Sequence, residues 1–213
     1  THTNFLGTGN RVAIELENNQ ISDTVSLSWT DPYFTEDGIS QTLSAFFRKS
    51  EGVIRFSSGF ASNSYGLSST YGIPISEYSI LRLGIGFEET AITTFPGASA
   101  DEILQFVSDN GTKFMTYEFR TGFARDTRNR TIFASRGSLH RLNLDLVLPG
   151  SDIEFFKASY QLQHYQPISG GFFAELNGSV ELVDGYGSTQ SVPPYEHFFA
   201  GGTGTVRGYR SGS

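Results

Sequence analysis

Leu81-Arg82-Leu83-Gly84-Ile85-Gly86-Phe87-Glu88 puts a large apolar residue at every odd position. Every even position is charged or glycine. Side chains of a β-strand alternate between two faces, so this period of two marks a strand with one apolar and one polar face. The same pattern recurs along the chain. It is carried by Val12, Ile14 and Leu16, by Val25, Leu27 and Trp29, and by Tyr65, Leu67, Tyr71 and Ile73. Further on it is carried by Met115, Tyr117, Phe119 and Phe123, by Leu142, Leu144, Leu146 and Leu148, by Ala158, Tyr160 and Leu162, and by Leu176, Val180 and Leu182. A noisier version runs from Ile39 to Arg48. Nine strands are predicted, near the ~9–11 residues that a tilted membrane strand needs.

Composition fits that reading. The chain has 213 residues, 24 of them Gly, 19 Phe and 10 Tyr, and only one Met. Charged residues make up 17%, with 15 Lys+Arg against 22 Asp+Glu and a net charge of −7. An acidic chain without a basic stripe is a poor partner for phosphate backbones, which sets nucleic acid aside. Cysteine is absent, which removes disulfides, thiolate metal sites and cysteine catalysis. Mean hydropathy is −0.23. No apolar run reaches the ~20 residues of a membrane helix. A transmembrane barrel remains open, because lipid-facing and lumen-facing residues average to mild polarity. The start, Thr1-His2-Thr3-Asn4-Phe5, lacks the basic and apolar regions of a signal peptide.

The connections alternate between two kinds. Compact ones are predicted at 6–9, 31–38, 74–79, 128–137 and 167–171. Variable ones are predicted at 18–23, 49–63, 89–112, 149–154 and from 184 onward. In an up-and-down sheet these fall on opposite rims, the asymmetry of outer-membrane barrels. Trp29, Tyr33, Phe34, Tyr78, Phe133, Tyr165 and Phe172 lie near the compact ends and would suit an interfacial girdle. Ordinary core packing is the alternative for Trp29 and Tyr33. One variable loop carries a helix signal. Ser99 can N-cap with Glu102 three residues on, Ile103, Leu104 and Val107 form an apolar face, and Asn110-Gly111 can stop it. An irregular loop is the alternative there. Both ends read as cut, with a turn near the start and a long loop at the end, so the expectation is a piece of a larger barrel.

Little in the chain points to bond chemistry. His140 and His164 fall on apolar strand phases near the compact rim, with no metal-ligand spacing beside them. There is no G-x-S-x-G motif, and only His197 lies at the variable rim where a barrel hydrolase would place a histidine. Gly84-Ile85-Gly86 reads as small residues on an inner face. Neither a cofactor nor a metal is expected. Glu15, Glu17, Arg48, Arg82, Glu118, Arg120, Arg141, Asp145, Glu175 and Glu181 share the inner phase, as in a wet, salt-bridged lumen wall or a pore constriction.

The most specific stretch is Phe198-Phe199-Ala200-Gly201-Gly202-Thr203-Gly204-Thr205-Val206-Arg207-Gly208-Tyr209-Arg210. Val206-Arg207-Gly208-Tyr209 resembles the V-R-G-F/Y signature of the sixth external loop in the BamA family, the central barrels of the outer-membrane β-barrel assembly machine. Phe5-Leu6-Gly7-Thr8-Gly9, Pro32-Tyr33-Phe34-Thr35-Glu36-Asp37-Gly38, Pro74-Ile75-Ser76-Glu77-Tyr78 and Pro149-Gly150-Ser151-Asp152 resemble that family's turns and loops, in order. Pro194-Tyr195-Glu196-His197-Phe198-Phe199-Ala200-Gly201-Gly202 resembles its lead-in to the sixth loop.

The resemblance implies an all-β, antiparallel, up-and-down transmembrane barrel, here an incomplete portion of a sixteen-stranded one. Residues 1–213 would run from the end of the second strand through the eleventh and into the sixth loop, without the periplasmic POTRA domains. It implies insertion and folding of client barrels in the Gram-negative outer membrane, with variable loops extracellular. The implied partners are outer-membrane lipids and lipopolysaccharide, unfolded barrel clients, and accessory lipoproteins reached through the POTRA domains. Arg207 would lock the loop in the lumen by pairing with acidic residues. Those lie by resemblance on later strands, and Glu118 or Asp145 could substitute. Two alternatives stand beside this reading: a two-partner secretion transporter with a related loop motif, and a barrel hydrolase using His197.

Overall fold

The computed structural model describes residues 2–18, 22–51, 59–95, 97, 99–187, 189, 192, 193 and 196. Ten strands follow in chain order. They are β1 (His2–Thr3), β2 (Arg11–Asn18), β3 (Ser22–Asp31), β4 (Ser40–Glu51) and β5 (Phe60–Ser76). Then come β6 (Ser79–Thr94), helix α1 (Asp101–Asn110), β7 (Lys113–Asp126), β8 (Gly137–Val147), β9 (Phe155–Ser169) and β10 (Phe172–Gly185). Each strand pairs antiparallel with its sequence neighbours in one sheet ordered β1 to β10, and β1 and β10 are its two edges. The nine predicted strands are β2 to β10.

The alternation sets the register. Leu67 faces Phe87 across β5 and β6, and Phe87 faces Tyr117 across β6 and β7, so the apolar set stays on one face. That face is outward: Ile14, Leu16, Leu67, Ile85, Leu142, Leu176 and Val180 are all exposed. Their partners in phase turn inward. Residues from β2 through β9 line one concavity of about 1030 Å³, so the sheet curls until distant strands share an inner space.

Strands run further than the alternation alone suggests. The turn expected at 74–79 shrinks to 77–78, because Pro74 and Ser76 still pair with Ile80 and Ser79 across a register irregularity. The turn expected at 167–171 shrinks to Gly170 and Gly171, both with positive φ, as a two-residue hairpin turn requires. Connection length does not separate the rims as expected. The compact side includes the ten residues 127–136, whereas the variable side includes the seven residues 148–154.

The helix is present, with its cap displaced. Ala100 occupies the N-cap position and makes no side-chain cap bond. The Ser99 hydroxyl is engaged elsewhere: it accepts from the Phe95 N–H at 2.9 Å and donates to the Gly59 carbonyl at 2.7 Å. The buried face is Ile103 and Phe106 with part of Val107, whereas Leu104 is 41% exposed. Gly111 ends the helix, its N–H bonded to the Val107 carbonyl at 2.8 Å.

Candidate functional site

The concave face is polar through its middle. Glu15 and Glu17 of β2, Arg48 of β4, Glu118 and Arg120 of β7 and Asp145 of β8 line the concavity, as their phase predicts. Glu88 and Lys157 join them from β6 and β9. Arg82, Arg141, Glu175 and Glu181 share the inner phase but do not line it. Serines and threonines fill the spaces between, with Ser64 and Thr90 bonded at 2.7 Å and Thr90 donating to Glu88 at 3.1 Å. The Arg48 guanidinium lies 5.5 Å from the centre of the Phe46 ring. A Cβ on Gly66 would stand 2.7 Å from that ring, so only glycine lets it lie against β5.

Three strands build a row of charge. Arg120 is the register partner of Asp145, and Asp145 that of Lys157. Directly opposed side chains interact across a sheet, so the signs alternate favourably. Glu118 pairs with Arg120 at one end. At the other, Lys157 Nζ pairs with Glu196 Oε2 at 2.8 Å. Glu196 lies beyond β10, so a residue of the following loop reaches the inner wall.

The rim above this wall is packed with apolar side chains. Ile92, Phe106, Phe114, Val147, Ile153, Phe155 and Val192 form one buried cluster, with Phe60, Val107 and Val183 against it. Phe106 and Phe114 meet at 5.3 Å between ring centres. Near this rim, the 148–154 loop completes the β7 edge. The Met115 and Tyr117 N–H groups donate to Asp152 Oδ2 at 2.7 Å and Ser151 Oγ at 2.9 Å.

The compact rim is braced by hydrogen bonds. Arg128 grips Asp126 through Nε at 2.9 Å and Nη2 at 2.7 Å, and reaches Gln163 at 3.1 Å. Asn129 Oδ1 accepts from the N–H groups of Ser135 and Arg136. In the turn carrying Pro32, Tyr33, Phe34, Asp37 and Gly38, Asp31 Oδ1 accepts from the Tyr33 N–H at 3.0 Å. Gly38, with φ +82°, donates to the Thr35 carbonyl at 3.0 Å. Tyr33 is 78% exposed and is not core, and Phe34 stacks edgewise on Tyr71 at 5.7 Å.

Tyr78, Phe133 and Phe172 are likewise exposed at this rim, as a girdle requires. Tyr165 is not part of it. It shares the inner phase of Lys157 and donates to Glu175 at 3.2 Å, because alternation carries that face to the end of β9. His140 bonds the Tyr160 hydroxyl at 2.9 Å and Ser138 at 3.2 Å. Among the described residues no group of three or more His, Asp or Glu could hold a metal ion. His197, Gly201, Gly202 and Val206, Arg207, Gly208 and Tyr209 lie outside the described residues.

Sequence reasoning missed two features. Lys113 Nζ pairs with Glu89 Oε1 at 2.6 Å on the outward phase of β6 and β7. The Lys157–Glu196 pair joins residues 39 positions apart, a separation that no local pattern reports.

Comparison with known proteins gives a consistent answer. A family model described as the Omp85 superfamily domain matches residues 4–213. The outer membrane protein assembly factor BamA of Neisseria meningitidis serogroup B is 31% identical over 222 aligned residues, covering 99% of this chain and 28% of that protein. BamA of Nitratidesulfovibrio vulgaris is 22% identical over 188 residues, covering 86% of this chain and 22% of that protein. The crystal structure of BamA from Haemophilus ducreyi lacking POTRA domains 1–3 matches with a TM-score of 0.91 at 26% identity. That match covers 99% of this chain and 42% of the other. The chain thus spans about a quarter of the length of these curated relatives.

Proposed function

The chain belongs to the Omp85 superfamily, and from that premise we propose that it is part of the barrel of an outer-membrane protein assembly factor. It inserts and folds client β-barrels in the bacterial outer membrane and catalyses no bond chemistry. The observation that carries this reading is agreement along nearly the whole chain, in sequence with the Neisseria BamA and in backbone with the Haemophilus one. The alternating wall supports it: an apolar outer face suits lipid, and a hydrated, mixed-charge inner face suits a lumen rather than a dry core.

Catalysis of folding would come from strand edges and a perturbed bilayer at a seam formed by strands beyond these 213 residues. An open β-edge offers the unpaired backbone groups that a client strand needs inside lipid. Val206, Arg207, Gly208 and Tyr209 would lock the sixth loop, with Gly201 and Gly202 leading into it. The role of Arg207 is a charge-assisted pair with lumen carboxylates. The Pro32–Gly38 turn would face the periplasm and the variable loops the exterior. Partners would be lipids and lipopolysaccharide, unfolded barrel clients, and accessory lipoproteins through POTRA domains.

The test is client folding by the complete protein in liposomes, followed as heat-modifiability of a urea-denatured barrel on gels. Acceleration that Arg207→Ala reduces supports the assembly reading and the lock. If nothing accelerates even with accessory subunits, the reading fails. Ion conductance in its place would favour a secretion pore.

A further inference from the structure

The chain leaving β10 does not rise away from the rim. The Tyr186 N–H donates to the Glu154 carbonyl at 3.0 Å, and the Tyr186 hydroxyl donates to the Val147 carbonyl. The Glu154 N–H in turn donates to Thr189 Oγ1 at 2.7 Å. Val192 is buried in the apolar cluster, and Pro193 beside it in the chain is fully buried. The Glu196 N–H closes a turn onto the Pro193 carbonyl at 2.9 Å, and its carboxylate meets Lys157. Five attachments thus bring the chain from the rim to the inner wall within eleven residues of Gly185. The Tyr186 N–H bond continues the β9–β10 register by one step, and the other four lie outside the sheet ladder.

We propose that Lys157 is a positioning residue: its ion pair with Glu196 latches the segment after β10 to the lumen wall and so fixes the point from which the chain continues toward Val206–Tyr209. Lys157 suits this role because the wall supplies an anion beside it. Asp145 is its register partner on β8, so carboxylates from two different segments lie near this position. A neutral residue there would remove the cation that offsets Glu196 beside Asp145, and like charges would weaken the strap's hold on the wall. Charge is needed and a particular head group is not, so Lys157→Arg should serve where Lys157→Gln does not.

The functional side of this inference rests on the assembly reading, but its geometric side does not. The complete protein in native outer-membrane vesicles is treated with a water-soluble carbodiimide, which joins a contacting ammonium and carboxylate as an amide with loss of water. Mass spectrometry of the digest should find a Lys157–Glu196 cross-link. The Lys113–Glu89 pair, at 2.6 Å, serves as internal control. Trypsin added to intact vesicles should cut after Arg207 and Arg210 about two- to fivefold faster in Lys157→Gln, the range expected for losing a half-exposed ion pair. Client folding should slow by a similar factor. Lys157→Arg should restore both.

The control cross-link without the Lys157–Glu196 one overturns the latch. So does Lys157→Gln that is cleaved and folds clients like the parent. If the parent itself does not accelerate client folding, the assembly reading fails, while the cross-link and cleavage results still decide the latch.

Discussion

The two rims of this curled sheet are held by different physics. At the rim carrying α1, seven buried apolar residues from β6, α1, β7, β8, the 148–154 loop, β9 and the strap after β10 meet in one cluster. At the other, Arg128, Asn129, Thr127 and Ser138 hold the chain by hydrogen bonds, with Ala134 and Leu139 buried behind them. The difference follows from composition and not from length, since the polar connection 127–136 is longer than the 148–154 loop. Ile103, Phe106 and Ile153 give the α1 side apolar groups that exclude water. The Arg- and Asn-containing 127–136 connection must satisfy its backbone groups locally, or leave them bare at a membrane surface. The apolar rim therefore rests on volume, and the polar rim on geometry.

Substitutions can separate the two. The largest effect is expected for Phe106→Ala, whose side chain is 1% exposed: a loss of about 3–5 kcal/mol, read as a lower urea midpoint for barrel refolding in micelles. Next is Gly137→Ala at the polar rim. Gly137 has φ +95°, and a Cβ there would lie 2.2 Å from the Thr127 carbonyl oxygen. A cost of about 1–3 kcal/mol is expected, with faster amide exchange confined to 127–138. Asn129→Ala should cost about 1 kcal/mol, because the exposed Ser135 and Arg136 N–H groups exchange a protein acceptor for water. An equal loss for Phe106→Ala and Asn129→Ala would erase the contrast.

Tyr186→Phe should cost about 1 kcal/mol and add a pH signature. Burial, helped by Glu154, raises the phenol's pKa above its ordinary 10.0. The bond to Val147 is therefore intact below that value and is lost only as pH climbs past the raised one. Tyr186→Phe should remove this alkaline step from the pH dependence of the urea midpoint. The smallest effect is expected for Leu104→Ala, within about 0.5 kcal/mol, since that residue faces out of the cluster.

The strands and their faces were legible because a period of two is local and repeats. Leu81 to Glu88 alone fixes which side of β6 meets lipid. The helix was legible in place but not in its packing. Phe106 becomes its anchor only because Phe114 and Ile153 arrive beside it from other segments, and Ser99 lost the cap because Gly59 arrives beside its hydroxyl. Proximity to a turn suggests the girdle for Tyr165, whereas the phase running from Lys157 puts it inside, bonded to Glu175. The Lys157–Glu196 pair had no sequence signal, since nothing local specifies where a loop lands.

The most direct test of this wall and its apolar rim is a spin-label scan of residues 81–92 in the complete protein in liposomes, with oxygen reporting lipid and a nickel chelate reporting water. Oxygen access should peak at 81, 83, 85 and 87, and nickel access at 82, 86 and 88. At Ile92, inward by phase yet buried, both should be low. Uniform access along the scan, or nickel access at Ile92 equal to that at Gly86, would contradict the account.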